Sequence, residues 1–286
     1  MKIGIIGNGF VGKATNILSN PDVELIVYDI DPQLCKPYGT TLNDVVNTDL
    51  LFISVPTPMN KDGSCHIGII ESVFDNIKNI CDLNDKCIVL RSTVPPGTSS
   101  NLNCYFMPEF LTEKKYKDDF IHNTHWVFGL KDELIHTSQN KKYKMLIHNL
   151  FNNAYINNKI MYNNIHFIPN KDAEMVKLFR NTFLSTKVSF CNEIHEFCNR
   201  KQINYNNVVT YATLDSRITD SHTSVPGHDG KHGFGGTCFP KDCNNLQYEM
   251  NKVGMKSYII SNVLKRNTEK DRPEQDWTLQ TKRAVI

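Results

Sequence analysis

Three observations predict an α/β protein in which a doubly wound parallel sheet is followed by an all-helical part organised around one long helix. Short apolar runs alternate with helical stretches through the first 168 residues, a glycine-rich turn follows the first run, and Lys171 to Arg200 contains neither Gly nor Pro. The 286 residues are 40% hydrophobic and 22% charged, ordinary values for a globular chain that exceeds one average domain. The expected divisions are a sheet domain over 1–168, a helical domain over 169–271 and a loose, charged tail over 272–286.

The first strand, Lys2 to Ile6, runs into Gly7-Asn8-Gly9-Phe10-Val11-Gly12, a GxGxxG that opens a helical pattern through Leu18. Strand, tight glycine turn and helix start together present backbone N–H groups and a positive dipole end to a phosphate. The next run, Glu24 to Tyr28, ends in Asp29, where a dinucleotide fold places the carboxylate that holds the adenosine ribose. A carboxylate there repels a 2′-phosphate, so the expectation is a Rossmann-like domain for NAD rather than NADP.

Further strands are predicted at Leu50 to Val55, Lys86 to Leu90, Cys104 to Met107, Trp126 to Gly129 and Ile165 to Ile168, with helices at Gly68 to Ile80 and Lys141 to Asn152. Ligands of such sheets gather at the carboxyl ends of the strands. Those ends carry VPTP (Val55 to Pro58), RSTVPPGT (Arg91 to Thr98) and MPEFLTE (Met107 to Glu113), so Thr57, Thr93, Glu109 and Glu113 are candidate site residues. The alternative is that the prolines end strands and the polar groups are solvated.

On the long helix, Phe179, Phe183, Phe190, Ile194 and Phe197 share one face, and Lys177, Asn181, Leu184, Val188 and Cys191 lie opposite. Apolar on two sides, the helix is read as buried between layers. Lys177 and Asn181 then point together into an enclosed space, or Lys177 snorkels to water from near the helix start. The loop from Asp215 to Gly236 places His228 and His232 in an HxxxH spacing, but around Asp229-Gly230-Lys231, which is loop sequence, so no metal site is expected.

After it comes GFGGTCFPKD, Gly233 to Asp242. The glycines let a ligand lie against the main chain. Cys238 stands at the start of a helix predicted from Pro240 to Met250, where amide groups and Lys241 favour the thiolate, with Asp242 one turn on. A dinucleotide fold with an activated thiol reads as a dehydrogenase that carries an aldehyde through a thiohemiacetal and a thioester; a structural cysteine beside a glycine turn is the alternative.

The formal charge of +2 gives no reason to expect nucleic acid or an acidic membrane surface, and no apolar run approaches a membrane span. Nine cysteines, an odd number in no disulfide framework, suit a reducing compartment, and a soluble cytoplasmic protein is expected.

Gly7 to Gly12, Asp29, VPTP, RSTVPPGT, PEFLTE, AEMVKLFRNTFLSTKVSFCNEI and GFGGTCFPKD stand in the order found in the nucleotide-sugar 6-dehydrogenases, which the chain resembles over nearly its whole length. The Phe239-Pro240-Lys241 after the cysteine favours UDP-glucose as substrate over GDP-mannose or UDP-N-acetylmannosamine. The resemblance implies a four-electron oxidation of a sugar C6 alcohol by two NAD in succession. It assigns Cys238 to the covalent intermediates, Lys177 and Asn181 to the developing oxyanion, Asp242 with Lys177 to proton transfer through an ordered water, and Glu109 to thioester hydrolysis. Thr93 would hold the water and the nicotinamide end. Gly7, Gly9, Phe10, Val11, Gly12, Asp29, Thr57 and Glu113 would contact the cofactor. Glu109, Phe110, Leu111, Lys177, Asn181 and the stretch Phe234, Gly235 and Gly236 would contact the UDP-sugar, with Arg217 reaching a substrate from a partner subunit. A homodimer through the long helix is implied.

Three departures accompany the match: Lys114 replaces a glycine, Met107 an asparagine, and the His-rich loop is expanded. Family members also continue into a third, Rossmann-like domain over the UDP moiety, and 286 residues ending soon after a helix at Lys256 to Asp271 imply that it is absent. Two other readings use the same residues: a catalytically weak NAD-binding, dimerising homologue, and a single-hydride dehydrogenase with no role for Cys238.

Overall fold

The computed structural model describes residues 1–131, 137–281 and 283–286. The chain divides into two compact units, one of Met1–Thr57 with Ile67–Lys177 and the other of Pro58–His66 with Leu178–Ile286.

The first unit contains β1 (Lys2–Ile6), α1 (Phe10–Thr15), β2 (Glu24–Tyr28), α2 (Leu42–Val46), β3 (Leu50–Ile53), α3 (Gly68–Lys78), β4 (Ile88–Leu90), α4 (Thr98–Asn101), β5 (Tyr105–Phe106), α5 (Tyr116–Ile121), β6 (His125–Leu130), α6 (Ser138–Ile156) and β7 (Asn164–Pro169). The first five strands form one sheet in the order β2-β1-β3-β4-β5, all parallel; β6 and β7 pair with each other, also in parallel. The order reverses direction at β1, which makes the sheet doubly wound. The seven predicted strands therefore occur, divided between a sheet of five and a pair.

Both faces of the five-stranded sheet are covered, and the side-chain alternation of the strands shows why. Ile3, Ile5, Phe52, Val89 and Tyr105 pack in one apolar cluster with Tyr143, Ile147 and Leu150 of α6. Their neighbours Ile6, Leu51, Ile53, Ile88, Leu90 and Phe106 pack in a second, with Val45 and Val46 of α2 and Ile70, Phe74 and Ile77 of α3. Successive residues of a strand point to opposite faces, so continuous apolar runs such as Leu50 to Ile53 require cover on both sides. Each such side chain contributes about 1.5–3 kcal/mol when fully buried.

The helix α7 (Asn170–Arg200) begins in the first unit and continues into the second, which also holds α8 (Tyr205–Ala212), α9 (Phe239–Lys252) and α10 (Ile259–Arg266). Cys191, Cys198, Tyr205 and Val225 make one small core there, and Phe234, Cys243, Val263 and Leu264 another. Among the described residues no helix is long and apolar enough to cross a membrane.

Two expectations are corrected. The long helix is not covered all round: Phe179, Phe183, Phe190 and Phe197 are 53–63% exposed, because none of the described residues buries their stripe. The segment after Arg272, expected to be loose, is packed. Arg272, Trp277 and Ala284 are buried, and Met59 exchanges backbone hydrogen bonds with Ala284 and Ile286 at 2.8 and 3.1 Å. Arg272, Glu274 and Asp276 find charged partners within the same unit.

Candidate active site

In the first unit the turn between β1 and α1 has the form a dinucleotide requires. Gly7 has φ +90° and lies so close to the exit of β3 that a Cβ would stand 2.5 Å from the Ser54 carbonyl oxygen, whereas beside Gly9 the space is open. Only the second glycine thus leaves room for a ligand to approach the backbone. Asp29, at the end of β2, accepts hydrogen bonds from the backbone N–H groups of Asn8 (2.6 Å) and Asp31 (3.0 Å), which pin its carboxylate beside the turn. Open cradle and acidic residue fit NAD. The first turn of α1 carries Phe10, Val11 and Gly12, and Val11 anchors further contacts: its carbonyl accepts from Thr15 Oγ1 at 3.1 Å, and Arg91 donates to Thr15. Arg91 is fully buried, and burial draws its guanidinium down to about 10, still charged at neutral pH, with Glu109 acting in the opposite sense.

The proline-rich strand exits are tied to one another. Thr57 Oγ1 donates to the Thr93 carbonyl at 2.9 Å, and Ser92 Oγ to the Val55 carbonyl at 2.6 Å. Glu174, on α7 and wholly buried, accepts from the N–H groups of Gly97 and Ser99 and from Ser99 Oγ, fixing the loop that follows Thr93. Burial raises its carboxyl above the usual range against the lowering effect of those hydrogen bonds. Lys177, one turn further along α7, donates to Glu109 Oε1 at 2.6 Å, and Leu111 N–H donates to Glu109 Oε2 at 2.9 Å. Lys177 and Glu109 are almost completely buried, so Lys177 does not snorkel to water. Phe110 and Leu111 are half-buried beside this pair in sequence, and Glu113 is exposed on a single 3-10 turn.

In the second unit Cys238 is the N-cap of α9, half-buried, with Pro240 in the first turn. The thiol therefore stands at the positive end of a 14-residue helix, next to Thr237 Oγ1 at 3.6 Å. Asp242, fully buried, receives Lys241 Nζ on Oδ1 at 2.6 Å and Asn181 Nδ2 on Oδ2 at 2.5 Å, and its N–H donates to the Cys238 carbonyl at 2.9 Å. Burial opposes the charge on Lys241, but Asp242 together with the thiols of Cys65 and Cys238 outweighs it and holds the ammonium above the ordinary lysine range. Lys241 thus supplies a permanent positive charge near the thiol. Asn181 follows Lys177 by one turn of the same helix.

Two of the residues expected to meet a substrate are otherwise engaged. Arg217 is 86% exposed and forms a bidentate pair with Asp215 of its own chain. Phe234 is buried, and its N–H and carbonyl are both taken by the side-chain amide of Asn267, at 2.8 and 2.9 Å. Of the glycine stretch, Gly236 alone faces open space at its Cβ position; Gly235 is closed by Arg272 and Asp276. Among the described residues no group of three or more His, Cys, Asp or Glu side chains is placed to hold a metal ion, His228 and His232 included.

A parallel nucleotide fold with an open glycine turn and acidic strand end, joined to a helical unit with a cysteine at a helix start, has the make-up of an NAD-dependent oxidoreductase. The models of the UDP-glucose/GDP-mannose dehydrogenase family match the chain over both parts, the NAD binding domain at residues 36–147 and the central domain at 171–269. The chain belongs to that family of NAD-dependent nucleotide-sugar dehydrogenases. It is 28% identical over 311 residues to the UDP-glucose 6-dehydrogenase of Rickettsia prowazekii, covering 93% of this chain and 67% of that one. To the enzyme of the same name from Campylobacter jejuni it is 26% identical, covering 93% and 73%. Its fold is similar to that of a UDP-glucose dehydrogenase from Pyrobaculum islandicum, with a TM-score of 0.78 at 24% identity over 93% of this chain and 67% of that one. A 3-hydroxyisobutyrate dehydrogenase from Mycobacterium tuberculosis has a TM-score of 0.67 at 13% identity and is covered over 94% of both chains.

Proposed function

We propose that this chain oxidises the C6 hydroxymethyl group of a nucleotide sugar, UDP-glucose foremost, to a carboxylate, through covalent intermediates on Cys238. The observation that carries the reading is the buried, hydrogen-bonded chain Asn181–Asp242–Lys241 in the first turn of the helix that Cys238 caps, whose ammonium interacts electrostatically with that sulfur. NAD, when bound, accepts the hydride of each of the two oxidations. Gly7, Gly9, Phe10, Val11 and Gly12 would hold its phosphates, Asp29 its ribose, and Thr57, Thr93 and Glu113 would lie toward the nicotinamide.

In this reading the Cys238 thiolate adds to the C6 aldehyde. Loss of hydride from the thiohemiacetal leaves a thioester, and water releases the acid and restores the thiol. The Lys177 ammonium and the Asn181 amide stabilise the oxyanion at C6, the part preorganised donors play in acyl chemistry. Asp242 orients Asn181 and Lys241. Glu109, held between Lys177 and the Leu111 N–H, accepts a proton from the water that attacks the thioester. The preference for UDP-glucose is supported by Phe239-Pro240-Lys241 and by the names of the relatives from Rickettsia and Campylobacter.

The assembly that fits is a homodimer. Four exposed phenylalanines run along about 27 Å of α7, and a two-fold axis lets such a stripe cover itself. In such a dimer Arg217, 86% exposed, would reach the partner's substrate only by exchanging its pair with Asp215. We place the protein in the cytoplasm, on its nine cysteines without a disulfide.

Counting NADH per UDP-glucose in a stopped-flow experiment tests the reaction: two equivalents support it, one supports a single-hydride dehydrogenase, and saturable NAD binding without turnover supports a binding homologue. Cys238→Ser is expected to abolish acid formation while leaving the NAD dissociation constant unchanged. Full turnover by that variant would refute the covalent route.

A further inference from the structure

The run from Gly233 to Gly236 leads directly into Cys238, and a glycine-rich loop is the least self-ordering kind of backbone, since fixing each residue costs about 1–2 kcal/mol. The second unit supplies side chains that fix it. The Gly233 N–H donates to Asn192 Oδ1 at 3.1 Å, and Asn267 grips the Phe234 peptide from both sides. At Gly235 the contact is of another kind. A Cβ there would stand 2.5 Å from Arg272 Nη1 and 2.8 Å from Asp276 Oδ1, so a charged pair fills the space a side chain would take. Beside Gly236 that space is open, which makes Gly235 the last glycine before the thiol to be pinned from its side-chain face.

Arg272 is itself built in. It is 2% exposed, its N–H donates to the Asn267 carbonyl at 2.7 Å, and its guanidinium pairs with Asp229, with Asp276 at 3.4 Å and with Glu274 at 3.8 Å. Lys231 bridges Glu274 and Asp276 at 3.1 and 3.0 Å, which joins the His-rich loop to the same cluster. Burying a guanidinium among carboxylates adds little net stability, because desolvation consumes most of the attraction, and an apolar side chain of similar volume would serve a purely structural purpose as well. What the arginine adds is direction: a rigid fork whose donors reach carboxylates on both flanking segments.

We propose that Arg272 is a positioning residue: from its carboxylate cluster it holds Gly235, and through it the approach to Cys238, in the conformation that receives the sugar. The role of the sugar rests on the function proposed above; the effect on the thiol does not.

The test uses the full 286-residue chain with Arg272→Met, Arg272→Lys and Asp276→Asn, and three readouts: iodoacetamide labelling of Cys238 followed by peptide mass spectrometry, KM and kcat for UDP-glucose, and the dissociation constant of NAD. In Arg272→Met, the loosened run should raise Cys238 labelling about threefold. Misplacement by a fraction of an ångström should raise the sugar KM about tenfold while NAD binding stays within about twofold. Arg272→Lys should recover part of each change. Parental labelling and an unchanged sugar KM in a folded Arg272→Met overturn the proposal. If that variant does not fold, Asp276→Asn, which weakens a single partner, decides in the same way with smaller shifts. Should the parent turn over no nucleotide sugar, the functional reading fails, and Cys238 labelling alone still decides the role of Arg272.

Discussion

Replacing Lys177 by Met leaves a carboxylate stranded. Lys177 Nζ and Glu109 Oε1 are 2.6 Å apart, with side chains 4% and 6% exposed, so water cannot take the place of the lost ammonium. Removing one member of a buried pair costs about 3–5 kcal/mol. The Leu111 N–H still satisfies Oε2, which puts the expected loss near the lower end, about 3 kcal/mol. With a urea m-value of about 2–3 kcal/mol/M the unfolding midpoint falls by about 1 M or more. Trp126, buried in the first unit, reports the transition by fluorescence in a Trp277→Phe background. Adding Glu109→Gln removes the stranded charge, so the double variant should recover about 1–2 kcal/mol of the single variant's loss. A cost below about 1 kcal/mol, with no recovery in the double variant, is the behaviour of a solvated surface pair and would refute the reasoning.

Three further outcomes are expected. Asp29→Asn should weaken NAD binding about tenfold and narrow the discrimination against NADP, measured by fluorescence titration, because the ribose exchanges a charged acceptor for a neutral one and a 2′-phosphate loses its repulsion. Phe183→Glu, in the middle of the exposed stripe, should halve the mass seen by light scattering if two copies meet there; an unchanged dimer would place the interface elsewhere. Glu196 is held down to about 2, against an ordinary 4.5, by hydrogen bonds from Lys270 and then Arg200, with Arg266 adding to them. A lowered carboxyl contributes stability that is present above pH 4.5 and lost as pH falls toward 2. Parent and Glu196→Gln should therefore differ in melting temperature at neutral pH and converge in acid, and a constant gap across that window would contradict the assignment.

Much of the first unit was legible because its signals are local. Gly7 to Gly12 declare a strand–turn–helix through backbone sterics alone, and apolar runs such as Leu50 to Ile53 announce strands buried on both faces. The Lys177 and Asn181 spacing was legible in the same way, since 3.6 residues per turn places them on one face whatever packs there. The exposed stripe was misjudged for a related reason: periodicity says that Phe179, Phe183, Phe190 and Phe197 share a face, but a pattern carries no information on whether this chain or another covers it.

The sequence by itself determined the glycine turn between β1 and α1, the helix that carries Lys177 and Asn181, and the thiol at a helix start, because each depends on residues within one or two turns of backbone. Only the tertiary structure decided that Lys177 meets Glu109, 68 residues away, that Asp242 takes Asn181 from 61 residues away, and that Asn267 and Arg272 pack against the glycine loop. Such contacts follow from how the elements pack, and a charged residue such as Arg272 reads as solvated until the carboxylates around it have been brought together.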